Sequence, residues 1–427
     1  MSYVKAAVDV HKKMLAVVIS DVSVEDEFEF TKRKFGTTPT QLRQLAEWFI
    51  ENKVEEVVME STAQYWRPVW AALERYWKPV AQKREGAGPK SGSLHLCQAE
   101  SNKAPRGRKN DYRDGIRMLK RLEAEELRLS LVPDPEQRLL RTVTRRHYQL
   151  TRAKVTFRNQ LESLLEQGHI KLSSFVSDLL GVSARRMMRA IADGETDAAK
   201  IAALADGRLR ATPEQLRDAL GACAEMSGLL RRLLDLALKE LEMIEEHMVK
   251  LEQEAMELLK GKEEVVERVA AIPGFGVTSA IQVIAEVGHD ALAFSSCKKL
   301  SSWVGVCPGD EESGGESKSS GSPKGNRQMR RILNQAAHAA VKVKGSIFEI
   351  VFRRLKSKPN FGYKEAIWAI AHRLCRVLWI ILHRGANYEE RGPAVSAKSK
   401  RTRESRMIRE LRKLGYRVEK EPTPAHA

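Results

Sequence analysis

Between Leu230 and Leu258, the residues Leu230, Leu234, Ala237, Leu241, Ile244, Met248, Leu251, Ala255 and Leu258 alternate spacings of four and three without a break. A seam of that period fits only a helix whose apolar edge has a partner, so it predicts a coiled coil over 229–259. Its flanks carry Glu240, Glu242, Glu245, Glu246, Glu252 and Glu254, which a polyanion would not approach. The partner is therefore protein, either a second chain or another helix of the same chain.

The chain as a whole is basic, with 73 Lys and Arg against 56 acidic residues and a net charge of +17. Such a surplus implies a polyanionic partner, for which nucleic acid is the usual choice. A membrane-surface protein would need an amphipathic helix with exposed anchors, and none stands outside segments that read as core. No apolar run approaches the roughly 20 residues that cross a bilayer, and the start MSYVKAAVDV lacks a secretory pattern. The expectation is a cytoplasmic protein. Cys97, Cys223, Cys297, Cys307 and Cys375 are scattered without Cys-x-x-Cys or zinc spacing, as for reduced thiols.

Residues 1–125 alternate short β-branched runs with helical stretches, which predicts an α/β domain with a mixed sheet. Tyr3 to Val10 and Leu15 to Ile19 read as strands joined at His11-Lys12-Lys13, and Phe28 to Phe35 as a third. Thr37-Thr38-Pro39 opens a helix to about Asn52, with Leu42, Leu45, Trp48 and Phe49 on one face. Val54 to Met59 is a strand ending at Glu60, and Tyr65 to Trp77 a helix. Residues 83–110, rich in Gly, Pro, Ser and Lys, read as a mobile basic loop. The chain is then nearly all helix: basic helices, an insertion near 172–228 and the coil fill 126–262. A helical C-terminal domain occupies 263–390, and 391–427 reads as a disordered basic tail.

Asp9 in VDVHK and Glu60 in VVMEST stand where apolar strands turn polar, the end of an open sheet where ligand sites cluster. Asp111 and Asp114 in KNDYRDG lie three apart at a helix start, so both can face one side. Four converging carboxylates repel unless cations lie between them, and Mg2+ with its preference for oxygen ligands would serve. The plainer alternative is that these acids are caps and turn residues.

Arg138 to Arg158 holds seven cations and no acid, including Arg141, Arg145, Arg146, Arg152, Lys154 and Arg158. Seven unpaired cations repel, which points to a phosphate backbone rather than a solvated face. In AAIPGFGVTSA, Gly274 and Gly276 sit at a tight turn between helices. They suit either a helix-hairpin-helix element that holds DNA at backbone amides or an ordinary helical corner. The stretch from Gly305 to Arg331 is Gly- and Ser-rich, then basic at Lys324, Arg327, Arg330 and Arg331. By composition it is a flexible linker before a helix starting near Asn326. A serine within it would attack a phosphodiester only if activated.

Together, VDVHK, MEST and KNDYRDG followed by IPGFGVTSA, GVCPGDEESGG and KGNRQMRR resemble the DEDD-type insertion-sequence transposases, the bridge-RNA-guided serine recombinases. The resemblance runs along most of residues 1–385. It implies a RuvC-like, ribonuclease-H-like domain holding Mg2+ at Asp9, Glu60, Asp111 and Asp114. It also implies Ser313, followed by Gly314, as the nucleophile that becomes joined to a DNA 5′ phosphate. Ser317, Ser319 and Ser320 stand nearby as alternatives. Further implied are double-stranded DNA of element ends and target, a structured noncoding guide RNA, and a homo-oligomer in which dimers assemble to a tetramer. The long basic loop, Gly115 where Ala is usual, and the insertion near 172–228 depart from the pattern.

Two other classes are weighed against the recombinase. A junction-resolving nuclease would use the carboxylates with water and leave free 5′ phosphates. A nucleic-acid-binding protein without catalysis would be indifferent to Asp9→Asn.

Overall fold

The computed structural model describes residues 3–21, 29–60, 63–84, 91–102, 111–309, 311–313, 316–319, 321–359 and 361–390, with backbone alone at 311–313 and 316–319 and isolated positions beyond 390. The basic tail and the stretches 85–90 and 103–110 of the expected loop lie outside the described residues. Two compact units divide the chain, Met1–Pro133 and Asp134–Ala427.

The first unit is built on a six-stranded sheet of order β3-β2-β1-β4-β5-β6. β1 (Val4–Val10) pairs antiparallel with β2 (Met14–Asp21), which pairs antiparallel with β3 (Phe30–Gly36). On its other side β1 runs parallel to β4 (Glu56–Glu60), and β4 parallel to β5 (Ser93–Cys97). β6 (Leu129–Ser130) closes the edge antiparallel to β5, which carries the unit past the expected boundary at 125.

Side chains alternate faces along a strand, and the two cores follow that period. Ala6, Val8, Val10, Val17, Val57 and Met59 face α1 (Pro39–Glu51), α2 (Trp66–Ala72), a π-turn at Leu73–Trp77 and α3 (Lys78–Gln82). Ala7, Val18, Val58 and Cys97 face Met118, Leu119 and Leu122 of α4 (Asp111–Glu123). β5 falls inside the stretch expected to be loop. Its five residues send Leu96 to one core and Cys97 to the other, a pattern too short to stand out beside Gly, Pro and Ser.

The second unit opens with α5 (Pro135–Gln167), capped by Asp134, which accepts from the Gln137 amide at 2.9 Å. α6 (Val182–Ala192), α7 (Ala198–Ala202) and α8 (Pro213–Ala219) form the insertion. They share a core with Leu161 and Leu165 of α5 and with Leu234, Leu238 and Leu241 of α9 (Gly228–Leu258). α9 also lies along α5. His147 Nε2 lies 3.0 Å from Glu252 Oε1 and Lys154 Nζ 2.5 Å from Glu245 Oε1. One number rises as the other falls, so the helices are antiparallel.

α10 (Glu263–Ala270), α11 (Val277–Val287), α12 (Cys297–Val304), the hairpin β7 (Glu311–Ser313) and β8 (Glu316–Ser319), α13 (Arg327–Ala340), α14 (Ile347–Lys356) and α15 (Tyr363–Arg384) complete the unit. The expected boundary at 262 separates no compact bodies, since Gln137 of α5 donates to the Ala285 carbonyl of α11 at 3.1 Å. α15 is long and apolar enough to cross a membrane, contrary to the expectation that no run is. Its apolar residues Ile367, Ile370, Leu374 and Leu378 are instead buried in the helical core.

Candidate metal centre and serine hairpin

Asp9 is the sixth residue of β1 and Glu60 the last of β4, and the parallel register Val8↔Met59 sets them side by side. Asp9 is 9% exposed. α4 begins at Asp111 and packs on the same sheet face, so its first turn brings Asp111 and Asp114 to the strand ends. Gly115 eases that approach, because a Cβ there would fall 3.0 Å from Val18 Cγ2, which would have to shift by a few tenths of an ångström.

The ligand atoms of Asp9, His11 and Asp111 lie within 4.8 Å of one another. His11 Nε2 is 3.3 Å from Asp9 Oδ2 and 3.5 Å from Asp111 Oδ1. Burial raises the Asp9 pKa above its ordinary value; His11 opposes the rise, and Glu60, Asp111 and Asp114 each add to it. Glu60, Asp111 and Asp114 therefore all lie close enough to act on Asp9. Glu60 Oε2 accepts from Asn102 Nδ2 at 3.1 Å, and Asp114 is held by Arg117, whose Nε donates to the Asn102 carbonyl at 3.1 Å. Asn102 is buried, and its Oδ1 has no partner among the described residues.

This is a set of hard oxygen donors with one imidazole, and its crowded like charges fit a divalent cation. His11 and Asn102 escaped the sequence reading. His11 stood in the same VDVHK motif but read as a turn, and Asn102 carries no local signal.

The Gly–Ser stretch, expected to be a flexible linker, has a built neck. A Cβ on Gly325 would fall 2.2 Å from the Val304 carbonyl oxygen, and one on Gly309 2.2 Å from the Gly321 oxygen. Only glycine allows the two stems to pass so closely. The Arg330 guanidinium donates to the carbonyls of Gly305 and Pro323 and lies over the Trp368 ring, 4.6 Å from its centroid. Trp368 Nε1 donates to Ser322 Oγ at 2.5 Å. Above this neck Ser313 ends β7, opposite Glu316 of β8. The side chains of Ser313, Ser317 and Ser319, together with Gly314 and Ser320, lie outside the described residues.

Several expected phosphate contacts are engaged within the chain. Arg145 grips the buried Glu286 with Nε and Nη2 at 2.8 and 2.9 Å, and Arg141 Nε donates to the Ala285 carbonyl at 2.9 Å. Lys154 pairs with Glu245. Arg331 stacks on Tyr148, 3.8 Å from the ring centroid, and donates to Gln282 at 2.8 Å. These residues correct the picture of unpaired cations, because acids distant in sequence neutralise or cover them. Arg146, Arg152, Arg158, Lys324 and Arg327 remain exposed.

Gly274 has φ +94°, and a Cβ there would fall 2.2 Å from the Ala336 oxygen, so its Cα packs on α13. Gly276 precedes α11, and its amide is taken by Ser279 Oγ at 2.8 Å.

A mixed sheet with two parallel central strands, each with an acid at or next to its end and beside an acidic helix start, is consistent with a RuvC-like α/β domain. Residues 6–170 match a family model for DEDD enzymes described as "Transposase", and residues 266–350 one described as "Transposase IS116/IS110/IS902 family". A probable family 20 transposase of Pseudomonas aeruginosa is 25% identical over 66% of this chain and 75% of its own length. The transposase for insertion sequence element IS1111A of Coxiella burnetii is 29% identical over 37% of this chain and 44% of its own. An insertion element IS900 uncharacterized 42 kDa protein of Mycobacterium paratuberculosis is 30% identical over 29% of this chain and 30% of its own length. The chain is an enzyme, a transposase, and the two models and these relatives support a DEDD transposase of the IS110/IS116 family.

Proposed function

We propose that this transposase cuts and rejoins double-stranded DNA through a covalent phosphoserine intermediate on Ser313, with Mg2+ held by Asp9, Glu60, Asp111 and Asp114. The observation that carries the reading is the burial of Asp9 among three further carboxylates at the mouth of the sheet. Bound there, a divalent cation would supply charge stabilisation for oxygens attacking and leaving phosphorus. Asp9 and Asp111 offer oxygens within 4.8 Å of each other, while Asn102 and Arg117 orient Glu60 and Asp114.

The Ser313 oxygen forms a bond to phosphorus as the bond to the 3′ oxygen breaks. The serine proton leaves to solvent or a base, and the departing oxygen takes one up as a 3′ hydroxyl. The rejoining step reverses these events with a different 3′ hydroxyl. A glycine-necked hairpin, held by Arg330, is a suitable carrier for such a serine.

Guidance by a structured RNA and assembly of dimers into a tetramer follow from the resemblance and from the basic composition. Leu229, Leu233, Leu236 and Met243 stay exposed along α9 and suit pairing with a second chain.

The test is denaturing electrophoresis of protein incubated with element DNA, RNA and Mg2+. Ser313→Ala should abolish the covalent adduct and leave nucleic-acid binding intact; an adduct that persists removes Ser313 from the role. A junction-resolving nuclease is the second reading, favoured by the fact that the acid cluster lies wholly within the first unit. It predicts free 5′ phosphates and cleavage that is indifferent to Ser313→Ala.

A further inference from the structure

The strand registers place a row of residues across one face of the sheet. Asp9 of β1 is opposite Ala16 of β2, which is opposite Lys34 of β3; one row back, Ala7, Val18 and Lys32 align in the same way. Directly opposed residues share a face, so Lys34 and Lys32 stand on the acid face, at its open edge. With strands about 4.8 Å apart, Lys34 lies roughly 10 Å from Asp9, within reach of a lysine side chain turned toward the cluster.

Lys34 Nζ sits over the ring of Tyr112, 5.7 Å from its centroid, next to Asp111. Lys12 and Lys13, in the turn between β1 and β2, belong to the same end of the sheet, because Thr37 Oγ1 at the end of β3 donates to the Lys12 carbonyl at 3.0 Å. All four lysines are exposed, and no carboxylate pairs with them among the described residues. Arg33, between the two β3 lysines, points to the opposite face and stacks on Phe35 and Trp48 at 4.8 and 5.8 Å.

We propose that Lys12, Lys13, Lys32 and Lys34 form a rail for the phosphate backbone of double-stranded DNA, which holds one strand against the acid cluster. The physical need is plain: a cluster of carboxylates repels a phosphodiester, and cations flanking it offset that repulsion while leaving the acids free for metal. The occupant is DNA because the rail ends at the cluster proposed above to act on DNA, and the inference rests on that reading for its occupant. The competing explanation is that lysines guard an exposed sheet edge against strand pairing.

The full-length protein with all four lysines changed to alanine, and a separate Arg33→Ala control, would be titrated with duplex DNA by fluorescence anisotropy over a range of NaCl concentrations. Each phosphate contact contributes about 0.9 to the slope of log affinity against log salt, so the quadruple variant should lose roughly 3 to 4 of it while Arg33→Ala keeps the wild-type slope. An unchanged slope accompanied by aggregation would overturn the rail in favour of edge protection. A slope that falls with an RNA hairpin but not with DNA would overturn it too. Calorimetric titration of the same proteins with Mn2+ separates the two layers of inference. A rail variant that binds Mn2+ as wild type does, but has lost the salt slope, supports the rail. Wild type that binds no Mn2+ sinks the metal reading alone, since the slope still decides the rail.

Discussion

Arg330 lies over Trp368 while its guanidinium donates to the carbonyls of Gly305 and Pro323, so one side chain joins both stems of the serine hairpin to α15. A planar fork stacked on a ring makes these contacts at once, and a lysine ammonium does not. Arg330→Ala, and to a lesser degree Arg330→Lys, should speed amide exchange at Asn326, whose N–H donates to the Trp303 carbonyl at 3.2 Å. An acceleration on the order of tenfold is expected from the loss of one to two kcal/mol of local hydrogen bonding. Unchanged exchange would mean that the glycine contacts alone hold the neck.

Gly274 and Gly276 should behave oppositely despite sharing one turn. Gly274→Ala places a Cβ against the Ala336 oxygen at a positive φ, and a loss of about 3 kcal/mol or more is expected in urea unfolding. Gly276 has extended backbone and open space around its missing side chain, so Gly276→Ala should cost well under about 1 kcal/mol. Equal losses would contradict the packing described for α13.

Glu286 is buried, and Arg145 and Asn326 bind its two oxygens. Burial pushes its pKa up, but Arg145 and Arg141 outweigh that and hold it below its ordinary value. Glu286→Ala leaves two arginines beside an empty site, and a loss of roughly 3 to 5 kcal/mol is expected. Because Asn326 caps α13 through the amides of Gln328 and Met329, the loss should appear as faster amide exchange in that first turn. Thermal unfolding and exchange that match wild type would refute it.

Glu56 anchors the end of the sheet away from the acid cluster. Lys5 Nζ lies 3.0 Å and His95 Nε2 2.9 Å from its oxygens, and Tyr3 OH donates to it at 3.0 Å. Burial alone would raise its pKa, but the neighbouring His95 and Lys5 lower it from 4.5 to about 2. A carboxylate with a depressed folded pKa binds its proton more readily when unfolded. Its contribution is therefore full above pH 4.5 and is lost as pH falls toward 2, in total about 3 kcal/mol. Glu56→Gln should be less stable than wild type at pH 7, and the difference should shrink through that window. A gap constant from pH 7 to pH 2 would exclude this cause.

What the linear chain made legible was whatever depends on near neighbours. The heptad seam, the strand-end acids at Asp9 and Glu60, and the start of α1 at Pro39 all follow from periodicity and local backbone preference. Such patterns survive without tertiary context because the helix and strand repeats impose them directly. β5 stayed hidden, since five residues between Gly- and Ser-rich stretches carry too little period to outweigh composition.

Partners distant in sequence were beyond that reading. Nothing near Arg145 announces Glu286, 141 positions away, so an arginine row that looked unpaired proved partly engaged. Composition made the Gly305 to Asn326 stretch a linker, whereas Gly325 against Val304 makes it a neck. His11 meets Asp111 only because α4 docks on the sheet and carries that acid to it. The sequence by itself determined which elements form and which chemical groups they carry. The tertiary structure decided which charges cancel and which stay available, because electrostatic pairing depends on distance in space and burial, and neither is written in the order of residues.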